Sequence, residues 1–140
     1  MGLEDVKRGP KGEWDIEGNI DGDVLIFEAK GMHGNPGRGD VLDLGRHIIE
    51  FEKKNPDVKV ERGILVGNSE RTRPLSERNR TNEGFNGDAV GMATKLDHAL
   101  VNTWTLYQLV TEVVEGKRVD AKDFLRELRN TVGVYRLLID

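Results

Sequence analysis

The sequence predicts an α/β fold, a central mixed β-sheet flanked by helices. Three observations carry this. Two strand-like runs, 13–17 and 24–30, lie on either side of an Asp21-Gly22 dipeptide. A helical pattern of apolar residues follows them, and a second apolar strand run ends near Gly67. Strands alternating with helical patterns build a sheet covered by helices.

Residues 1–12 are polar and end in Gly9-Pro10-Lys11-Gly12, so they read as a disordered or linking lead-in. Residues 13–140 read as a single domain, a size that fits one compact unit. Glu13 to Glu17 alternates polar and apolar residues, as a half-buried strand does. Val24 to Lys30 is nearly continuous in apolar residues, which suggests a strand covered on both faces. Asp-Gly between two such runs signals a tight type I′ hairpin, because both central residues need positive φ. The glycine-rich stretch Gly31–Gly39 reads as a flexible connector. It is not a P-loop, because Asp40 follows Gly39 where a lysine would be required.

A helix then opens with Asp40 as N-cap and places Val41, Leu44, Ile48 and Phe51 at helical spacing until Asn55-Pro56. Val58 to Val66 is the next strand. Residues 68–87 are polar and arginine-rich, a long loop of a kind uncommon in a compact domain unless it is functional or mobile. Asp88–Ala93 reads as a short strand. Leu96 to Glu115 reads as the longest helix, with Leu96, Leu100, Tyr107, Val110 and Val114 on one face. Trp104 and Tyr107 suit a core face, and His98 suits a structural role. Asp120 caps a last helix through Arg129, and the apolar tail Val132–Ile139 is expected to dock on the body.

Composition narrows the chemistry. There are no cysteines, which excludes disulfides, thiolate zinc sites and cysteine nucleophiles. Three scattered histidines do not suggest a histidine-rich metal site. No apolar run is long enough to span a bilayer, and the first residues are not a signal peptide, so no membrane partner and a cytoplasmic location are expected. A net charge of −4 means that any nucleic-acid contact must come from a local basic patch.

The hairpin register brings charges together. If Asp21-Gly22 is the turn, Ile20 faces Asp23, Asp15 faces Glu28 and Glu13 faces Lys30. Period-two alternation puts Asp15, Glu28 and Lys30 on one face. Opposed carboxylates repel and call for a counter-ion. Mg²⁺ is a natural one, since it takes a few carboxylate oxygens and keeps waters. An acid two residues before a lysine is common in this chain, as at Asp5/Lys7, Glu52/Lys54, Asp57/Lys59, Glu115/Lys117 and Asp120/Lys122. Glu28/Lys30 differs by ending the most apolar strand and by facing Asp15. The plain alternative is a surface ladder in which Glu28 and Lys30 pair with Lys11 and Glu13.

Glu13-Trp14-Asp15-Ile16, then Asp21-Gly22, then Leu25-Ile26-Phe27-Glu28-Ala29-Lys30 resembles the PD-(D/E)xK nuclease superfamily, whose fold is restriction-endonuclease-like. The likeness covers about residues 13–67. It implies that Asp15 and Glu28 hold Mg²⁺, with Mn²⁺ able to substitute, and that Lys30 assists attack on a phosphodiester. The implied activity is metal-dependent endonucleolytic hydrolysis, with DNA ahead of RNA as partner. The superfamily core usually opens with a helix and a strand that the twelve residues before Glu13 do not suggest. Either the chain belongs to a longer parent with further domains, or its core is degenerate. The usual proline before the acid is replaced by Trp14.

Arg71, Arg73, Arg78 and Arg80 form the best local basic patch for phosphates, against a solvated loop as the alternative. His33, Arg46 and His47 are further candidates to face the site. The alternative function is a catalytically inactive module of the same fold that binds nucleic acid or protein. A homodimer through the 96–115 helix is compatible with either.

Overall fold

The computed structural model describes residues 4–31, 34–78, 81–117 and 121–137. Among these, six strands form one mixed sheet in the order β1-β2-β3-β4-β5-β6. They are β1 Glu4–Arg8, β2 Ile16–Ile20, β3 Asp23–Gly31, β4 Val60–Asn68, β5 Ala99–Asn102 and β6 Gly133–Val134. The first three pair antiparallel, and β3 to β6 run parallel. Four helices flank them: α1 Arg38–Lys54, α2 Gly87–Leu96, α3 Thr103–Val114 and α4 Ala121–Arg129.

The hairpin turn forms as expected. Asp21 and Gly22 take φ of 50° and 84°, and the ladder runs from Ile20↔Asp23 to Ile16↔Phe27. β3 is covered on both faces, which accounts for its unbroken apolar run. On one side Ile26 joins Leu65 and Leu100 beneath α1 and α2. On the other, Leu25 joins Ile64, Ala99 and Val101 above Leu109 of α3 and Leu125 and Leu128 of α4.

Several elements differ from the sequence reading. The lead-in contains β1, an edge strand on β2. Asp40 sits in the first turn of α1 rather than at its cap, and its carboxylate accepts the Gly37 N–H at 2.9 Å. The expected strand at 88–93 is helix α2, whose small buried residues Ala89 and Ala93 give it close seating. The expected long helix is broken. Asp97 ends α2 at φ 58°, and Ala99-Leu100-Val101 enters the sheet, buried on both faces beside β4. Helix α3 starts afresh at Asn102, whose side chain accepts the Trp104 N–H at 2.8 Å. Its buried residues are Thr105 and Leu109, while Tyr107 and Val114 stand 65% and 80% exposed. The tail docks through β6 and Tyr135, whose hydroxyl meets Glu127 at 2.6 Å.

His98 is buried between β4 and α1. A Cβ on Gly63 would lie 2.8 Å from its Nδ1, so that glycine makes room for the ring. Burial, and then the Arg62 charge, lower its pKa. A histidine depressed in the fold binds fewer protons than in the unfolded chain, so stability falls as pH drops below about 6.5. The melting temperature should therefore decline more steeply from pH 7 to pH 5 in the native chain than in His98→Leu. Parallel profiles by circular dichroism would contradict this.

Candidate functional site

Glu28 and Lys30 lie on the face of β3 that carries Ile26, towards α1. Glu28 is only 4% exposed. Lys30 Nζ stands 3.9 Å from Glu28 Oε1, with a third of its side chain open to solvent. On α1, His47 falls on the buried stripe with Leu44, Ile48 and Phe51. Its Nδ1 reaches 2.9 Å from Glu28 Oε1. That is ion-pair distance, but the N–H is not in line for a hydrogen bond, and His47 Nδ1 and Glu28 Oε2 are both buried without a hydrogen-bond partner. The other ring nitrogen, Nε2, meets Arg46 Nη2 at 3.3 Å. Arg46 itself is exposed and paired with Asp43 and Glu50.

Asp15 takes a position that the alternation does not give. The ladder stops at Ile16↔Phe27, and the Asp15 N–H donates to the Phe27 carbonyl at 3.2 Å. A continued ladder would put Trp14 on the face opposite Asp15. Instead Trp14 packs with Ile26 and edge-on against Phe51. The chain therefore turns at Asp15, just before β2. The Asp15 carboxylate caps the strand it no longer pairs with, accepting the Ala29 N–H at 2.7 Å. It remains near enough to act on Glu28 electrostatically.

The surface ladder does not form. Glu13 takes Lys54 of α1 at 2.6 Å, and Lys30 turns to Glu28. The Glu28 carboxyl is held above the usual range. Burial is the largest cause and outweighs the attraction that Lys30, and His47 when protonated, would exert, while Asp15 and Asp43 push in the same direction as burial. A buried acid with an unpartnered oxygen, within electrostatic reach of a second carboxylate, has the oxygen donors that a hard cation prefers. Among the described residues no three His, Asp or Glu side chains converge as a metal-holding group.

The arginines separate into different roles. Arg71 lies beside Gly31, just beyond Lys30, and is exposed. Arg73 is exposed and pairs with Glu70 at 3.6 Å. Arg78 is committed to shaping the loop, donating to the carbonyls of Arg73 and Arg71 and to Asn68 Oδ1. Arg80 and His33 lie outside the described residues. His47 and Arg46 are neighbours in sequence, and only helical phase separates the inward ring from the outward guanidinium. The available signal for His47 was its place three residues after Leu44 on an otherwise apolar stripe.

No helix among the described residues is long and apolar enough to cross a membrane. The chain matches no protein-family model, no curated protein and no solved structure.

Proposed function

We propose that this chain is a Mg²⁺-dependent phosphodiesterase domain of restriction-endonuclease-like fold, cleaving nucleic acid, DNA ahead of RNA, in the cytoplasm. The observation that carries the reading is Glu28. Its Oε2 is buried without a partner beside Lys30, on the strand where the E-x-K pattern ends. The order β1-β2-β3-α1-β4 supports it further, because β1 supplies the strand that the superfamily core has ahead of its acidic strand. Asp15 and Glu28 are the residues to hold the ion. Bound there, Mg²⁺ would polarise a phosphoryl oxygen and lower the pKa of a bound water. Lys30, a third exposed to solvent, would orient the attacking water or stabilise the charge that develops on the phosphate. Arg71 and Arg73 extend the positive surface beyond Gly31 for flanking phosphates. The test is cleavage of plasmid and single-stranded substrates with Mg²⁺ or Mn²⁺, beside Glu28→Gln, Lys30→Ala and Asp15→Asn.

A non-catalytic binding module is favoured by one observation. The Asp15 carboxylate already has a structural use on Ala29 N–H. Calorimetry with Mn²⁺ separates the two readings: heat that Glu28→Gln removes supports the enzyme, and its absence supports the module.

A second copy of this chain is the partner that we propose for α3. Tyr107, Val110 and Val114 form an exposed apolar stripe. The stripe is self-complementary, since antiparallel pairing centred between Val110 and Thr111 sets each Tyr107 on the opposite Val114. Sedimentation velocity should show a dimer that Val110→Glu converts to monomer. A native chain that stays monomeric at high concentration would remove the proposal.

A further inference from the structure

We infer that His47 is a positioning residue for Glu28, with its tautomer set by Arg46, so that one carboxylate oxygen is faced by the ring N–H at close contact and the other is left for the cation. The inference rests on the reading of Glu28 as a cation ligand. A guanidinium only donates hydrogen bonds, so the Arg46 Nη2 contact at 3.3 Å needs the lone pair of His47 Nε2. That places the ring proton of the neutral tautomer on Nδ1. Nδ1 then has no lone pair for a metal and presents an N–H on the side of Glu28 Oε1, 2.9 Å away. His47 is thereby excluded as a direct ligand through this nitrogen, in keeping with the absence of a three-ligand group among the described residues.

Both side chains are nearly inaccessible, at 6% and 5% for His47 and Glu28. Lys30 approaches the same Oε1 from the open side, at 3.9 Å. Lys30 and the His47 ring N–H therefore both stand beside Oε1, neither in line or close enough for a hydrogen bond, while Oε2 has no partner. A carboxylate flanked in this way loses little rotamer freedom when it takes up a cation, which is how supporting groups raise the affinity of a site. The surrounding helix enforces the geometry, because His47 is flanked by Leu44 and Ile48 in the buried stripe of α1.

The experiment is Mn²⁺ titration calorimetry on the full chain, with melting curves as the folding control. His47→Leu keeps an apolar body in the stripe and removes the donor. Mn²⁺ affinity is expected to fall about 10- to 100-fold, the usual effect of removing a supporting group. His47→Asn, whose amide nitrogen stands near the Nδ1 position, should restore most of the loss. Imidazole ¹⁵N spectra give a readout that does not depend on metal: the proton should sit on Nδ1 in the native chain and redistribute in Arg46→Ala. Native affinity in a folded His47→Leu, or a native ring protonated on Nε2, would overturn the positioning role alone. A native chain that takes no Mn²⁺ would overturn the nuclease reading and this role with it. If His47→Leu fails to fold, the Asn variant and the native tautomer decide the matter.

Discussion

On the proposed nuclease reading, Glu28→Gln is expected to abolish Mn²⁺-dependent cleavage, and Lys30→Ala to slow it by about 100- to 1,000-fold. The Gln variant keeps volume and removes the charge that the proposed cation would require. Asp15→Asn retains an oxygen for the Ala29 N–H, so any loss there reports charge rather than a lost cap. Folding can be separated from function by pH. The Glu28 carboxyl titrates above its ordinary range in the fold, so the native state binds more protons than the unfolded chain between the two values. Stability from this group is then greatest below the ordinary carboxylate pKa and is lost as pH rises through the folded one. Glu28→Gln removes that loss. At pH 7 it should melt at or above the native temperature while losing metal binding, the trade expected where a functional group is buried at a cost. Metal-independent cleavage, or native rates in the Gln and Ala variants, would refute the mechanism.

Trp14→Ala should be the most damaging core substitution near the site, at about 3–5 kcal/mol. The indole is 4% exposed, packs edge-on to Phe51 at 5.1 Å and lies under Lys54 Nζ at 5.7 Å. It also anchors the turn that sets Asp15. The Gly9 N–H donates to the Asp15 carbonyl at 2.9 Å, and a Cβ on Gly9 would fall 1.9 Å from the Trp14 carbonyl oxygen. The segment after β1 is thus pressed directly onto Trp14-Asp15. Urea unfolding followed by circular dichroism gives the stability, and Mn²⁺ titration gives the consequence for Asp15. A loss under about 1 kcal/mol would mean that the cavity collapses and that Trp14 is not the anchor.

Local chemistry was readable where one short stretch decides the outcome. Asp21-Gly22 needs only its own backbone freedom to close the hairpin, and the observed register follows from it. The spacing of Val41, Leu44, Ile48 and Phe51 is enough to define the buried face of α1. Ala99–Asn102 was not readable in this way. Its leucine and valine fit a helical stripe and a strand equally well, and only the unfilled edge of β4 makes it a strand. Asp88–Ala93 failed for the same reason, because its seat on α1 depends on contacts with residues far away in sequence.

The hairpin that bears Glu28 and Lys30 on one face was determined by the sequence alone, through a turn that allows one register and a period of two that orders the side chains. Tertiary structure decided the rest of the site. Trp14 found its place against Phe51 and drew the chain out of register at Asp15. Helix α1 lay across β3 in the phase that brings His47 to Glu28. Neither event has a local cause, since each joins residues that only the packing of a helix on a sheet makes neighbours.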